Sequence, residues 1–288
     1  MKVGVLGAGA WGSALSLLAH RGGCNVTAWS YNNEFDNFHG VPVPADMRLT
    51  DNMADMADMD AWLVVTPAAF FRQTIAAARA HYHGQPIIIC TKGLEAQTHK
   101  FMSEILAEEL PECTDCGVLS GPQFAAEVAH GVPTGSTLAG TARARAAGRE
   151  ILSQMYLEDS TDVIGAEICG VGKNAVALIC GYTSVMAGGE NERAMVFTRA
   201  WGEVTRLGRA MGATLESFLG LCGIGDLFLS ATSPTSRNFS AGVAIANNRE
   251  IVGTVEGIFA LRGLIQRAAA LNVDVPILSD MCARLKMA

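Results

Sequence analysis

The feature that most constrains this chain is a glycine-rich turn at its start. The apolar segment Lys2–Leu6 leads directly into Gly7-Ala-Gly9-Ala10-Trp11-Gly12 and a helical pattern that reaches about His20. In a turn of this spacing the first glycine permits the bend, the second lets the backbone approach a pyrophosphate, and the third lets the helix pack on the strand. The pattern predicts dinucleotide binding, with phosphates at the positive end of the helix.

The sequence up to about residue 165 alternates short strand patterns with helical patterns, which is typical of a doubly wound parallel sheet. Continuous apolar runs such as Trp62–Val65 and Ile87–Cys90 favour strands that are covered on both faces. Ligands are therefore expected at the carboxyl ends of the strands. The predicted strands are Lys2–Leu6, Asn25–Trp29, Ala61–Thr66, Pro86–Thr91, Gly117–Ser120 and Thr134–Ala139.

Beyond residue 165 the periodicity becomes helical throughout. The predicted fold is thus α/β, with an N-terminal Rossmann-like doubly wound sheet over 1–165 and an all-helical substrate and catalytic domain over 166–288. The predicted helices cover about 168–187, 193–212, 214–222, 239–247, 256–271 and 277–286.

Composition narrows the class of protein. A chain of 288 residues that is 50% hydrophobic and 17% charged can bury a large core, and its length suits two domains. The net charge of −7, without a stripe of Lys or Arg, argues against a nucleic-acid partner. The most apolar stretch, Ala175–Gly189, is too short for a membrane span. A secretory signal from Lys2 to Ala19 is the alternative for the N-terminus, but the three glycines of the turn interrupt its apolar core.

The eight cysteines lie scattered along the chain, mostly in apolar runs, and show no disulfide framework. This usage favours a reducing, cytoplasmic location. Cys113-Thr-Asp-Cys116 is a single CxxC pattern without a second pair or a nearby histidine. We interpret it as a loop with free thiols, and we expect no metal.

Two charged residues stand in apolar surroundings of the helical half. Lys173, followed by Asn174, lies at the predicted start of a helix that is buried on all sides, where an ammonium is costly unless it is paired. Asp226 lies in the apolar run Leu221–Leu229. A lysine reaching solvent from a helix end and an aspartate that caps a helix are the structural alternatives. We favour a pairing of the two charges, direct or through a substrate.

A polar loop follows, with the sequence Ser233-Pro-Thr-Ser236-Arg237-Asn238. It presents hydroxyls, an amide and a guanidinium, whose planar fork can contact two phosphate oxygens. Taken alone, the loop is equally compatible with an exposed turn.

Taken together, these residues resemble the bacterial-type NAD(P)-dependent glycerol-3-phosphate dehydrogenases over nearly the whole chain. The motifs that carry the resemblance occur in the family's order: Gly7–Gly12, Thr91-Lys-Gly-Leu-Glu95, Ser120-Gly-Pro-Gln-Phe-Ala-Ala-Glu-Val128, Gly172-Lys-Asn174, Gly223-Ile-Gly-Asp-Leu227 and Ser233–Asn238.

The resemblance implies hydride transfer between sn-glycerol 3-phosphate and NAD or NADP, which gives dihydroxyacetone phosphate and connects the enzyme to phospholipid synthesis. It implies that Lys173 exchanges the proton of the C2 hydroxyl, with Asp226 and Asn174 fixing its position. An unperturbed lysine has a pKa of about 10.4, so this role requires burial or a nearby positive charge such as Lys92. The implied substrate contacts also include Lys92, Gly121, Ser236, Arg237 and Asn238. The implied cofactor contacts are Ala10, Trp11, Tyr31, Lys92, Ala125, Arg237 and Glu256, together with the glycine turn.

Several positions depart from the family's pattern. Tyr31 follows the second strand, where neither a basic residue for a 2′-phosphate nor an acidic residue for a free ribose stands, so the choice of cofactor stays open. Residues 32–45 form a shorter loop, Gly172 replaces a leucine, and Gln123 replaces a small hydroxyl residue. The chain ends at Ala288, where members of the family continue, and a homodimer in which a second subunit covers the helical domain is therefore an expectation.

Two alternatives remain from the sequence. The β-hydroxyacid dehydrogenases share the two-domain plan and a lysine in the helical domain, but they act on carboxylates. A nucleotide-binding regulatory protein without catalysis is the other. The Lys173-Asn174 pair and the Ser236-Arg237-Asn238 loop favour the phosphorylated small-molecule substrate.

Overall fold

The structure is a computed structural model that describes residues 1–33, 35, 38–251, 253 and 255–285. The chain forms two compact units. The nucleotide-binding unit comprises Met1–Lys92 and Lys100–Val163. The helical unit comprises Gly93–His99 and the chain from Ile164 on. The short excursion of Gly93–His99 into the helical unit has no counterpart in the sequence pattern.

The nucleotide-binding unit contains one sheet, whose eight strands within the described residues run in the order β3-β2-β1-β4-β5-β6-β7-β8. Neighbouring strands are parallel except for β6 and β7, which are antiparallel. The predicted Rossmann-like sheet is confirmed. The strands are β1 Lys2–Leu6, β2 Asn25–Trp29, β3 Arg48–Thr50, β4 Ala61–Val64, β5 Ile87–Ile89, β6 Cys116–Ser120, β7 Gly135–Gly140 and β8 Tyr156–Ser160.

The sequence analysis missed β3 and β8, and both lie at the edges of the sheet. β3 has only three residues, and β8 has the polar sequence Tyr-Leu-Glu-Asp-Ser with no fully buried position. An edge strand is covered on fewer sides than a central one, so its sequence needs no continuous apolar run.

Helices alternate with the strands along the chain, in the order that a doubly wound fold requires. The glycine turn opens the first of them, which buries Leu15, Leu17 and Leu18 in one core with Val3 and Val5 of β1. Each such fully buried side chain contributes about 1.5–3 kcal/mol relative to its exposed state. The helices are α1 Ala10–Arg21, α2 Ala68–Ala78, α3 Met102–Glu109, α4 Ala125–Ala129 and α5 Ala142–Ile151.

The described part of the helical unit contains helices and no strand, as the periodicity predicts. The sequence analysis missed the helix Asp226–Thr232. A π-helical turn, Leu221–Gly225, separates this helix from the one that precedes it. The helices are α6 Val163–Met186, α7 Glu190–Ala210, α8 Leu215–Leu219, α9 Asp226–Thr232, α10 Arg237–Ala246, α11 Glu256–Ala270 and α12 Pro276–Arg284.

Helix α6 forms the centre of the helical unit and is buried on all its faces from Gly165 to Gly181, with Lys173 as the one half-buried residue. The prediction that Lys173 opens this helix is wrong, because α6 begins at Val163 and the lysine lies in its middle. The neighbouring Gly172 is explained by packing. A Cβ atom there would lie 2.3 Å from Cγ1 of Val204 on α7, so any larger side chain would require Val204 to move.

Two glycines allow α6 and α10 to pack with their backbones in contact. A Cβ atom on Gly181 would lie 1.9 Å from the Phe239 carbonyl oxygen, and one on Gly242 would lie 2.1 Å from the Leu178 carbonyl oxygen. This close packing determines where Asn238, one turn before Gly242, lies relative to Asn174 on α6.

Two helical stretches of the described chain, Val163–Met186 and Leu215–Thr232, are long and apolar enough to cross a membrane by length and composition alone. The apolar window of the first is 78% buried inside the protein, and that of the second is 44% buried. Burial of the first stretch is what a core helix of a globular domain requires.

Candidate active site

The glycine turn has the backbone geometry that its spacing predicts. Gly7 has φ +109°, which favours glycine, and its N–H donates to the Trp29 carbonyl oxygen at 2.9 Å. A Cβ atom on Gly12 would lie 1.7 Å from the Gly7 carbonyl oxygen, so the third glycine is needed for the close approach of α1 to the turn.

The space beside this turn fits the phosphates of a dinucleotide. A Cβ atom on Gly9 would meet no protein atom within 4 Å, so the space above the second glycine is open. Gly9 precedes α1 without a side-chain cap, and the first turn of α1 contains no acidic residue. The backbone N–H groups and positive end of α1 are therefore available to an anion. Ala10 and Trp11, both expected to contact the cofactor, are the first two residues of this helix.

Tyr31 follows β2 at the carboxyl edge of the sheet and is 81% exposed. Its ring contacts Trp29 edge to face, with ring centres 6.5 Å apart. The shortened loop after it lies partly outside the described residues, since 34, 36 and 37 are not described. Beyond them, His39 donates from Nε2 to the Ala10 carbonyl oxygen at 2.8 Å, a contact near the start of α1 that sequence reasoning did not anticipate.

Lys92 and Gly121, two expected substrate contacts, come together after neighbouring strands. The Lys92 ammonium donates to the Gly121 carbonyl oxygen at 2.9 Å. The strands β5 and β6 that precede them are parallel neighbours, which brings their carboxyl ends to the same edge of the sheet. Ala125, an expected cofactor contact, is the first residue of α4 after the same loop.

Buried polar atoms without a hydrogen-bond partner lie at this edge. Among the described residues, they include Thr66 Oγ1, Ser120 Oγ and Gln123 Oε1. Thr66 lies just after β4, Ser120 is the last residue of β6, and Gln123 lies in the loop that follows β6. Such atoms are rare in folded proteins and require an explanation, such as an ordered water or a bound ligand. The amide nitrogen of Gln123 is used internally, donating to the Gly135 carbonyl oxygen and to Ser136 Oγ.

The helical unit brings Lys173 and Asp226 together. Lys173 Nζ lies 3.1 Å from Asp226 Oδ1, and the side chains are 13% and 1% exposed. The ammonium also donates to Ser230 Oγ at 2.9 Å, and the Ser230 hydroxyl donates to Asp226 Oδ1 at 3.3 Å. The three side chains form a compact and largely buried polar cluster, which we call the lysine cluster.

The local fold explains how an aspartate is presented in an apolar run. The π-helical turn before Asp226 is made possible by Gly223, where a Cβ atom would lie 2.3 Å from the Phe218 carbonyl oxygen. Turns of this kind occur frequently at functional sites. Asp226 is the first residue of α9, where the positive helix end stabilises its negative charge.

Asn174 is part of a second network. Asn238 Nδ2 donates to Asn174 Oδ1 at 2.8 Å, and the Gly257 N–H donates to Asn238 Oδ1 at 2.8 Å. The side chain of Asn174 is thus fixed by α10 and α11. The Lys173 ammonium is contacted by Asp226 and Ser230, and the expected role of Asn174 in fixing Lys173 stays a prediction.

The polar loop around Ser236 becomes the start of α10. Ser236 Oγ accepts a hydrogen bond from the Phe239 N–H, which makes it the N-cap, and Arg237 is the first helical residue. The Arg237 guanidinium is exposed and has no hydrogen-bond or ion-pair partner among the described residues. A helix N-terminus with an available guanidinium is suited to a phosphate.

Glu256 begins α11 and lies close enough to Arg237 for the charges to interact. Burial raises the pKa of the Glu256 carboxyl above its usual range, and the positive charge of Arg237 partly opposes this shift. Both residues are expected cofactor contacts.

Ser230 is the site residue that the sequence analysis missed. Its signal was its position four residues after Asp226, because residues at this spacing lie on one face of a helix. The thiols of the CxxC pattern lie elsewhere, beside a cavity of the nucleotide-binding unit, and none of the eight cysteines forms a disulfide. Within the described residues, no group of three or more His, Cys, Asp or Glu side chains could hold a metal.

Comparison with known proteins agrees with this geometry. The family model described as NAD-dependent glycerol-3-phosphate dehydrogenase N-terminus matches residues 2–146, and the corresponding C-terminus model matches 162–287. The chain is 37% identical to glycerol-3-phosphate dehydrogenase [NAD(P)+] of Parvibaculum lavamentivorans over 309 aligned positions, covering 99% of this chain and 91% of that protein. It is 41% identical to the enzyme of the same name from Paramagnetospirillum magneticum, covering 83% and 92%.

A solved structure is also similar over nearly its whole length. The crystal structure of glycerol-3-phosphate dehydrogenase from Coxiella burnetii matches with a TM-score of 0.87 at 29% identity, covering 96% of this chain and 92% of that chain. Since family models match both units and relatives exceed one third identity over almost the full length, the chain belongs to the NAD-dependent glycerol-3-phosphate dehydrogenase family.

Proposed function

We propose that this protein interconverts sn-glycerol 3-phosphate and dihydroxyacetone phosphate with NAD or NADP. The observation that carries the proposal is the lysine cluster, in which an ammonium is held by a buried carboxylate and a hydroxyl. Membership of the family and the open, uncapped start of α1 support the cofactor class.

In this proposal the proton and the hydride are handled by different groups. The glycine turn and the start of α1 would hold the dinucleotide, whose nicotinamide would supply the hydride chemistry at C2. In the oxidation direction, the unprotonated Lys173 amine takes the C2 hydroxyl proton, and the hydroxyl becomes a carbonyl. In reduction the Lys173 ammonium returns that proton to the carbonyl oxygen. Asp226 and Ser230 hold the nitrogen in one position, which is the main requirement for efficient proton transfer.

The remaining site residues are assigned to binding. Arg237 binds the phosphate of the substrate, helped by the start of α10 with Ser236 and Asn238, and Lys92 and Gly121 bind the substrate from the nucleotide-binding unit. The glycine turn, Ala10, Trp11, Tyr31, Ala125 and Glu256 bind the cofactor. Asn174 fixes Asn238 and so orients the phosphate-binding loop.

The location and the metabolic role of the protein follow from the same assignment. We infer a cytoplasmic enzyme without a membrane span, supplying glycerol 3-phosphate for phospholipid synthesis. The 78% burial of the Val163–Met186 window supports a core helix over a span. The proposed homodimer is tested by light scattering of the purified protein, in which the mass of a single chain would contradict it.

The experiment that tests the function follows oxidation of NADH and NADPH separately, with dihydroxyacetone phosphate and with a β-keto acid. The proposal expects turnover with dihydroxyacetone phosphate and none with the β-keto acid. Turnover with the carboxylate alone would assign the β-hydroxyacid class. Cofactor binding without any turnover would instead indicate a regulatory protein.

A further inference from the structure

A short segment of the chain that directly follows Lys92 belongs to the helical unit. Lys92 is the last residue of the first segment of the nucleotide-binding unit, and the next seven residues, Gly93–His99, belong to the helical unit before the chain returns at Lys100. Lys92 is a proposed substrate and cofactor contact. The position of this seven-residue segment, which we call the docked segment, therefore determines where the backbone beside Lys92 is held.

Helix α11 contacts both ends of the docked segment. Arg267 Nε donates to the His99 carbonyl oxygen at 2.6 Å. One turn earlier, a Cβ atom on Gly263 would lie 2.4 Å from Leu94 Cδ1, and Leu94 is 7% exposed. The glycine thus lets the leucine pack directly on the helix backbone, while the arginine holds the far end of the segment.

The docked segment is itself closed by internal hydrogen bonds. The His99 N–H donates to the Glu95 carbonyl oxygen at 2.8 Å, and the Thr98 hydroxyl donates to the Glu95 carboxylate. His99 has φ +55°, a left-handed conformation that is uncommon for a residue other than glycine. A closed turn of this kind moves as one piece, so its contacts with α11 set its position.

The first turn of α11 contacts the asparagine network of the site. The Gly257 N–H donates to Asn238 Oδ1, and a Cβ atom on Gly257 would lie 2.6 Å from the Asn174 carbonyl oxygen. Gly257 and Gly263 are six residues apart on the same helix, a rise of about 9 Å. One helix therefore holds the Asn174–Asn238 pair near its start and the docked segment near its middle.

We propose that Arg267 and Gly263 are positioning residues of the active site. They fix the docked segment at a set distance from the asparagine pair, and so hold Gly93, the residue that directly follows Lys92 in the chain. The proposal rests on the proposed function, in which Lys92 binds substrate. Proton transfer depends on the lysine cluster of α6 and α9, so loss of the docking contacts acts on substrate binding more than on turnover.

The test compares Arg267→Gln, Arg267→Lys and Gly263→Ala with the matched control Arg262→Gln, which alters an exposed arginine on the same helix. The measurements are KM and kcat for dihydroxyacetone phosphate, amide hydrogen exchange of residues 93–99, and the thermal midpoint. We expect Arg267→Gln and Gly263→Ala to raise KM about tenfold, with kcat within about threefold and faster exchange at 93–99. Arg267→Lys, which keeps a cationic donor, is expected to recover part of the KM, and the control to match the wild type.

Several outcomes would overturn the inference. Faster exchange with an unchanged KM would show that docking does not position the site. Equal losses of kcat and thermal stability, without a KM effect, would mark Arg267 as merely structural. If the wild type fails to reduce dihydroxyacetone phosphate, the proposed function is wrong. Unchanged amide hydrogen exchange of residues 93–99 in the variants would separately contradict the contacts between α11 and the docked segment.

Discussion

The candidate sites of the two units differ in whether backbone groups or side chains form them. In the nucleotide-binding unit the site is mostly backbone: a glycine turn, an uncapped helix start and strand ends. In the helical unit it consists of side chains, an ammonium, a carboxylate, a hydroxyl and a guanidinium, held on helices far apart in sequence. In the proposed function, the backbone of the glycine turn and of the start of α1 therefore binds the cofactor phosphates, whereas substrate binding and proton transfer depend on a few polar and charged side chains.

This difference predicts where single substitutions act. Replacing Lys173 or Arg237 of the helical unit should lower turnover or substrate affinity, whereas replacing Tyr31 of the nucleotide-binding unit should only shift the preference between the two cofactors.

The largest effect on stability is expected from Asp226→Ala, because it leaves the Lys173 ammonium without its carboxylate in a largely buried site. Breaking one partner of a buried pair costs about 3–5 kcal/mol, and the slight exposure of Lys173 places the expected loss near about 3 kcal/mol. The free energy of unfolding is measured in urea. The control is Asp280→Ala, which breaks an exposed pair with Arg284 and should cost less than about 1 kcal/mol. Equal losses of unfolding free energy in the two variants would mean that the lysine cluster is not shielded from solvent.

The next effect tests phosphate binding at the start of α10. Arg237→Ala should raise KM for dihydroxyacetone phosphate by about 10- to 100-fold, since a charge-assisted hydrogen bond contributes about 1.5–3 kcal/mol. Steady-state kinetics of the variant and of Arg249→Ala, another exposed arginine of the helical unit, provide the comparison. An unchanged KM, with unphosphorylated dihydroxyacetone an equally good substrate, would show that no phosphate is bound there.

The packing that supports these side chains is tested by Gly242→Ala. The added methyl would lie 2.1 Å from the Leu178 carbonyl oxygen, so α10 must move away from α6 and strain the Asn238–Asn174 hydrogen bond. Overpacking of this kind costs about 1–3 kcal/mol. The matched control is Gly202→Ala on α7, where the methyl would meet only the end of the Arg206 side chain and should stabilise the helix by about 0.5–1 kcal/mol. A Gly242→Ala variant as stable as the wild type would contradict the close packing.

The same contrast explains how much could be predicted from the sequence. Central strands such as β4 and β5 are continuous apolar runs, and the glycine turn has a fixed spacing, so both could be predicted locally. The edge strand β8 is polar, and the π-helical turn before Asp226 follows from one glycine among several, so neither has a distinct local pattern. The Asn174–Asn238 bond and the docked segment join residues that are far apart in the chain, and only the packing of α6, α10 and α11 brings them together.

The smallest effect concerns the cofactor cradle. Tyr31 has neither a positive charge for a 2′-phosphate nor a carboxylate for a free ribose, so discrimination between NADH and NADPH should be weak. Tyr31→Arg should shift the preference toward NADPH and make NADPH use more sensitive to salt. The measurement is kcat/KM for each cofactor at fixed ionic strength. A wild-type preference for one cofactor beyond about 100-fold, or about 2.7 kcal/mol, would mean that a residue other than Tyr31 determines the cofactor preference.

The division of work between the two units is tested most directly by Lys173→Ala, with turnover and NAD(P)H binding measured on the same preparation. Turnover with dihydroxyacetone phosphate should fall at least about 100-fold, the lower range for loss of a general acid–base group. The dissociation constant of NAD(P)H, followed by fluorescence titration, should stay within about twofold, because Lys173 is not among the proposed cofactor contacts. Turnover close to that of the wild type would contradict the proton-transfer role of Lys173, and loss of cofactor binding would contradict the proposed assignment of Lys173 to proton transfer alone.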